Sequence, residues 1–339
     1  MAPVGRWLPV SPHSARQGSL ERLSEIVQPS TPGRGSVRSF SLLRVSRVLL
    51  LALSLSVAIL IHERSFAQPP SLNSLTAESV LLLDPEGKVL FAKNPEGGHA
   101  PASLVKLMTL YLAFEMLDAE LMRWDDEVEI SVHAARTPPY RLGLRAGERV
   151  PFGILLQGVA IASANDAATA VAEHLGGSEE AFVARMNEKA QELGLTQTHF
   201  ANPHGLPAQG QRSTARDLAH LTDRLLEEFP ASRSLLAGKS FVYRGRVHQR
   251  NIMLDRNPDG VQAVKTGYTQ AAGYNLAVAA YRSGQRLLCI LLGSETRRLS
   301  FLEASRLLQY GFTQNGFPEE RPAAPKKRVR PKASLATRR

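Results

Sequence analysis

Residues 260–294 read GVQAVKTGYTQAAGYNLAVAAYRSGQRLLCILLGS, and the fold follows from how this stretch divides. GVQAVKTGYT, YNLAVAAYR and RLLCILLGS are three β-rich runs, and Ser283-Gly284 between the last two suits a two-residue hairpin turn. A similar pattern stands near the other end of the apolar part of the chain. ESVLLLDPEGKVLFAKN, residues 78–94, gives two further β-rich runs around the turn signal Asp84-Pro85-Glu86-Gly87. Between the two ends, apart from a β-rich SFVYRGRV at 240–247, the patterns are helical. PASLVKLMTLYLAFEML (101–117) is almost wholly apolar, and PFGILLQGVAIA (151–162) runs into SANDAATAVAEHLGG (163–177). EEAFVARMNEKAQELG (179–194) and TARDLAHLTDRLLEEF (214–229) have apolar residues at three- and four-residue spacing, and Gly194 supplies a C-terminal stop. A last helix is expected over roughly Arg298 to Tyr310. Strands at both ends with helices between them require one antiparallel sheet assembled from distant segments with a helical lobe inserted, which is an α+β layout.

The 339 residues carry a formal charge of +10, but it lies at the ends. Residues 1–67 hold eight Arg and three Glu, residues 318–339 hold eight Lys or Arg and two Glu, and residues 68–317 have 25 bases against 26 acids. The central part is therefore close to neutral, and the basic footprint of a nucleic-acid binder is missing from it. VLLLALSLSVAILI at 48–61 is an apolar run of 14 residues, with Arg38, Arg44 and Arg47 before it and SFA shortly after. It has the parts of a secretory signal and falls below the about 20 residues that span a bilayer. The expected organisation is an N-terminal extension with signal peptide at 1–67, one globular domain at 68–317 with its helical lobe at about 103–235, and a basic tail at 318–339. The residues before Val37 make a long leader, so translation is expected to begin downstream at a non-Met codon such as Val37 or Val45. No second globular domain is expected after residue 317. The single cysteine, Cys289, lies in LLCILLG and reads as a small core residue.

Lys106 raises the chemical question. A helix apolar all round is buried, and a buried ammonium is driven toward its neutral form. Ser103 stands three residues before it, on the same helical face. A neutral lysine is the base that a serine hydroxyl needs to become a nucleophile, and the helix N-terminus favours developing negative charge. Taken alone, the pair also fits a lysine that snorkels outward and a serine that caps the helix. Two further stretches decide between these readings. SAND, Ser163 to Asp166, follows a run of small apolar residues, and Lys265-Thr266-Gly267 lies in a predicted strand. There Gly267 lets an extended substrate backbone approach the strand edge, while Lys265 and Thr266 present a cation and a hydroxyl to a carboxylate.

The ordered set Ser-x-x-Lys, Ser-x-Asn, Lys-Thr-Gly resembles the signature of active-site-serine penicillin-binding proteins and class A β-lactamases. With PASLVKLMT, SANDAA, THFANPHGLP, STARDLA, KTGYTQAAGYNLAVAA and LLQYGF, the chain from about Thr76 to Phe312 resembles the D-alanyl-D-alanine carboxypeptidases, low-molecular-mass penicillin-binding proteins of the S11 type. The resemblance implies a β-lactamase/transpeptidase-like fold, with a five-stranded antiparallel sheet flanked by helices. It implies hydrolysis of the terminal D-Ala-D-Ala bond of peptidoglycan stem peptides, inhibition by β-lactams, no metal or organic cofactor, and a periplasmic location. It further implies that Ser103 is the nucleophile and Lys106 its base. Ser163, with Lys265 nearby, would pass a proton to the departing D-alanine, and Asn165 would hold the substrate's peptide groups. Lys265 and Thr266 would read the terminal carboxylate, and the backbone N–H groups of Ser103 and Tyr268 would form the oxyanion hole.

Two departures stand out. Val105 replaces a threonine frequent inside the first motif, and of the family's carboxylate-binding arginine only Arg297 and Arg298 stand nearby, out of clear register. The tail is too polar to insert in a membrane, though a polybasic segment can hold to anionic lipid. Rival readings are a D,D-endopeptidase on cross-links, a β-lactamase, for which no motif marks a deacylating glutamate, and a non-catalytic member that only binds peptidoglycan.

Overall fold

The computed structural model describes residues 72–250 and 260–316, and the expected signal run and basic tail lie outside them. Its centre is a five-stranded antiparallel sheet built from β1 (Ser79–Leu83), β2 (Val89–Lys93), β7 (Val261–Thr269), β8 (Gly273–Arg282) and β9 (Gln285–Ser294), in the order β2-β1-β9-β8-β7. The N-terminal hairpin thus joins the C-terminal strands through β1 and β9, where Leu81 lies opposite Ile290. Ser283 and Gly284 both have positive φ, 50° and 80°, as a tight β8–β9 hairpin turn requires.

β8 and β9 are continuous apolar runs because both faces of the sheet are covered. Leu288, Ile290 and Leu292 point into the core shared with the helical lobe. Leu287, Cys289 and Leu291 point to the other side, against Phe301, Leu308 and Phe312 of the C-terminal helix. Cys289 is fully buried, and its thiol is pushed above its ordinary value by that burial and by Glu303. The same helix carries Glu303, whose carboxylate accepts from Thr76 N, Ala77 N and Ser294 Oγ and so ties the entrance of β1 to the end of β9.

The lobe contains α1 (Lys106–Asp118), β3 (Glu127–Glu129), α2 (Val132–Arg136), β4 (Arg149–Pro151), α3 (Phe152–Gln157), α4 (Asn165–Gly176), α5 (Glu179–Glu192), α6 (Ala215–Glu228) and α7 (Ala231–Ala237). A hairpin of β5 (Ser240–Tyr243) and β6 (Arg246–Gln249) follows, and α8 (Arg297–Gln314) closes the chain. Ser178 and Thr214 cap α5 and α6 by accepting from Ala181 N and Asp217 N.

Several local expectations change. The helix does not begin at Ser103: Ala102–Val105 form a 3₁₀ turn and the α-helix starts at Lys106. The polar stretch at 125–148, for which the sequence pattern gives no helix or strand, contains β3 and α2, and SFVYRGRV makes a separate two-stranded sheet rather than part of the main one. These are short elements whose polar, half-exposed residues give almost no hydrophobic period to read.

Candidate active site

The site begins at the turn carrying Ser103, which is packed too tightly to carry side chains on its neighbours. A Cβ on Gly267 would lie 3.1 Å from both Ser103 N and Pro101 O. One on Gly205, whose φ is +87°, would lie 2.0 Å from Ala102 O. Asn275 holds the same turn to the sheet, its Nδ2 donating to Ala100 O at 2.8 Å while its Oδ1 accepts from Gly293 N at 2.9 Å. Gly267 therefore makes room first for the protein's own backbone. β7 is also an edge strand of the sheet.

Lys106 lies one turn on and is fully buried. Its Nζ donates to Ser103 Oγ at 3.1 Å, to Asn165 Oδ1 at 2.8 Å and, by a short bond, to the carbonyl of His204. Burial lowers its pKa to about 7, against a smaller opposing pull from Asp166. An amine in this state is substantially neutral near pH 7 and sits within reach of a serine hydroxyl. Ser103 makes no side-chain cap and Lys106 does not snorkel, so both bland readings of the pair fail.

Ser163 enters from the lobe at the end of a single π turn, Gly158–Ala162, and has φ +55°, an uncommon conformation for a residue with a side chain. Its Oγ accepts from Lys265 Nζ at 2.7 Å, a bond from the lobe to β7. Lys265 also donates to Thr266 O at 2.9 Å, and burial, then Lys106 and Arg250, hold it well below its ordinary value. Ser103, Ser163, Thr266, Gly267 and Tyr268 line one cavity of about 430 Å³.

Two residues assigned from the sequence have surroundings that the sequence did not indicate. Asn165 does not face the cavity: its amide donates to Pro138 O (3.1 Å) and Pro139 O (2.9 Å) while its oxygen accepts from Lys106. It braces the base and the 138–140 loop. Lys265 is 2% exposed behind Ser163 and presents no cation directly to the cavity. The cations on the cavity wall are Arg250 and Arg297, whereas Arg298 is exposed elsewhere.

Sequence reading also missed Asp166. Its buried carboxylate accepts from four backbone N–H groups, those of Leu142 (2.9 Å), Gly143 (2.9 Å), Leu144 (3.1 Å) and Ala167 (2.9 Å), and so hangs the 138–144 loop on the start of α4. Asp166 stood inside SAND, and a carboxylate in a run of small apolar residues is itself a signal of an internal partner. For Arg250 and Tyr140, which also line the cavity, the sequence held no signal.

A five-stranded sheet, an inserted helical lobe and a serine–lysine pair at their junction define the class of penicillin-binding, transpeptidase-like folds. Within it, the chain belongs to the D-alanyl-D-alanine carboxypeptidase family, peptidase S11, whose signature matches residues 64–296. It is 38% identical over 247 residues to the D-alanyl-D-alanine carboxypeptidase DacC of Escherichia coli (strain K12), covering 70% of this chain and 62% of that one. The corresponding enzyme DacF of Bacillus subtilis (strain 168) is 36% identical over 244 residues, with 70% and 62% covered. The chain thus matches a little over three fifths of the length of these relatives. Among solved structures, penicillin binding protein 5 from Haemophilus influenzae superposes with a TM-score of 0.69 at 34% identity, over 73% of each chain. Penicillin-Binding Protein D2 from Listeria monocytogenes, in its ampicillin-bound form, gives 0.63 at 27% identity, over 72% of this chain and 100% of that one.

Proposed function

We propose that this protein is a serine D-Ala-D-Ala carboxypeptidase, which removes the last D-alanine from peptidoglycan pentapeptide stems and so limits cross-linking in the growing wall. The observation that carries the reading is the buried, depressed-pKa Lys106 within hydrogen-bond reach of Ser103. Neutral Lys106 takes the Ser103 proton as Oγ attacks the carbonyl between the two D-alanines, and the backbone N–H groups of Ser103 and Tyr268 receive the oxyanion. The tetrahedral intermediate collapses as Ser163, hydrogen-bonded to Lys265, passes a proton to the departing amine, and the proton held by Lys106 is returned to Ser163, leaving Lys106 neutral for the second half of the reaction. Water then attacks the acyl-enzyme, with Lys106 again accepting a proton, to release the shortened stem and free Ser103. Thr266 and the arginines of the cavity wall, Arg250 and Arg297, receive the terminal carboxylate.

A relative of this fold is known in an ampicillin-bound form, and β-lactams, which mimic the D-Ala-D-Ala end, are expected to acylate Ser103. The apolar run at 48–61 supports export to the periplasm, and the basic tail supports peripheral contact with anionic lipid; deleting residues 318–339 is expected to reduce liposome binding.

The test is labelling by a fluorescent penicillin, followed by D-alanine release from a diacyl-Lys-D-Ala-D-Ala peptide. Wild type is expected to label and to release D-alanine, and Ser103→Ala to do neither. Labelling that survives the substitution overturns the nucleophile. Labelling without release, together with cleavage of cross-linked dimers, favours the endopeptidase.

A further inference from the structure

Thr109 stands three residues after Lys106, on the same face of α1, and is fully buried. In the interior of a helix a threonine hydroxyl commonly bonds back to the carbonyl four residues earlier. Here it donates instead to Pro203 O at 2.6 Å, across 94 positions. Pro203 O is the carbonyl next to that of His204, which accepts from Lys106 Nζ. Lys106 and Thr109 therefore hold two consecutive carbonyls of one turn, residues 202–206. Within the turn, Gly205 N donates to Asn202 Oδ1 (2.7 Å), Asn202 Nδ2 to Leu206 O (2.9 Å) and Leu206 N to His204 Nδ1 (3.2 Å). Those bonds set its shape, whereas Thr109 and Lys106 tie it to α1.

The direction of the Lys106 lone pair depends on that turn. A neutral amine has two N–H groups and one lone pair. Of the three groups around Nζ, Asn165 Oδ1 and the His204 carbonyl can only accept, while the Ser103 hydroxyl can also donate. The two acceptors take both N–H groups, and the lone pair is left facing the hydroxyl whose proton it receives. Were His204 O to move off Nζ, an N–H would turn toward Ser103 Oγ and the lone pair away from it. Asn165 is braced by the carbonyls of Pro138 and Pro139; the His204 carbonyl is braced by Thr109 through its neighbour.

We infer that Thr109 is a positioning residue of the reaction: by holding Pro203 O it keeps the His204 carbonyl on Lys106 Nζ, and so aims the lysine lone pair at Ser103. The inference rests on the proposed Ser103–Lys106 pair and does not depend on which acyl donor the site takes. Among the described residues, the titratable groups around Lys106 are Asp166 on α4, Lys265 on β7 and His204 in the turn. Burial, then Lys106 and His133, lower His204 to about 3, so it stays neutral. Thr109 carries no charge, and its substitution alters none of these groups directly. Loss of His204 O as an acceptor removes a bond that favours the ammonium and so lowers Lys106 further. A general loosening that admits water does the reverse, raising Lys106 toward 10.5.

The experiment compares wild type, Thr109→Val and Thr109→Ser, all as full chains, in stopped-flow acylation by a fluorescent penicillin at varied concentration and pH. Valine keeps the shape and removes the hydroxyl; serine restores the hydroxyl. Thr109→Val is expected to lower the plateau of the acylation step by about tenfold to hundredfold. Its noncovalent penicillin Kd is expected to stay within about twofold, and the acid limb of its profile to move to lower pH. Thr109→Ser is expected to recover the plateau to within about threefold of wild type. A Thr109→Val protein with a lower urea midpoint but the plateau and limb of wild type overturns the inference and leaves Thr109 a packing residue. A limb displaced to higher pH overturns it too, as does a loss that serine fails to recover. Should Thr109→Val not fold, Thr109→Cys, whose thiol is a weak donor, is held to the same two criteria. Absence of D-alanine release bears on the carboxypeptidase reading alone, because acylation decides this inference. If wild type is not acylated, the proposed pair fails as a catalyst, and the ¹³C titration of Lys106 Cε, assigned by its loss in Lys106→Met, decides instead. Equal midpoints in wild type and Thr109→Val then overturn the inference, and a lower midpoint in Thr109→Val supports it.

Discussion

Lys106 brings together three acceptors, Ser103 Oγ, Asn165 Oδ1 and the His204 carbonyl, around an amine that burial has lowered to about 7. The base works only without its proton. Raising the pH through 7 therefore increases the neutral fraction, and the acylation rate should climb with an apparent pKa near 7 and level off above about pH 8. Stopped-flow acylation across pH 5–9 reads this directly. Lys106→Ala should lower the plateau by about 10²–10⁴-fold, and an unchanged rate removes Lys106 as the base. Asp166 pulls this lysine in the opposite direction, because a nearby negative charge favours the ammonium.

At the scale of elements, that same carboxylate joins the start of α4 to the loop at 138–144. In Asp166→Asn the side-chain amide cannot accept from four N–H groups, so at least two buried donors lose their partner. The cost should be about 1–3 kcal/mol per orphaned group, measured as a lower midpoint in urea. Removal of the charge should move the acid limb of the acylation profile below 7, a shift that loop damage alone does not produce. The β5–β6 hairpin hangs on the same loop through Glu148. Long elements were legible in advance: α5 and α6 by apolar residues at three- and four-residue spacing, and α1, β1, β8 and β9 by their continuous apolar runs. β3, β4 and α2 were not, because they have three to five residues and one buried side chain each, too few to show a period.

Across the whole molecule, the site lies where the lobe meets the sheet, and Ser163–Lys265 is a hydrogen bond between them. Two lysines buried at this junction tax the fold. A lysine whose folded pKa is depressed binds fewer protons folded than unfolded between its folded value and about 10.5, so stability rises with pH through that window and is lowest below it. For Lys106 the window runs from about 7 to 10.5, and burial lowers Lys265 in the same direction. Relative to Lys106→Met, wild type should therefore gain melting temperature as pH is raised from 7 to 10, an effect on the order of a few kcal/mol. Differential scanning calorimetry of the pair checks it, and a gap independent of pH contradicts it.

By itself the sequence determined the α+β layout, the joining of both chain ends in one sheet, and the three motifs, because periodicity and residue type are local properties of a chain. It could not say which side chains face the cavity. Asn165 turned inward to brace Lys106, Lys265 withdrew behind Ser163, and Arg250 arrived from a hairpin outside the main sheet. Those outcomes depend on packing between segments up to about a hundred residues apart in sequence: His204 supplies a carbonyl to Lys106 across 98 positions, and Lys265 reaches Ser163 across 102. Only the tertiary structure decides them, because burial and the competition among nearby acceptors exist once the chain has closed on itself.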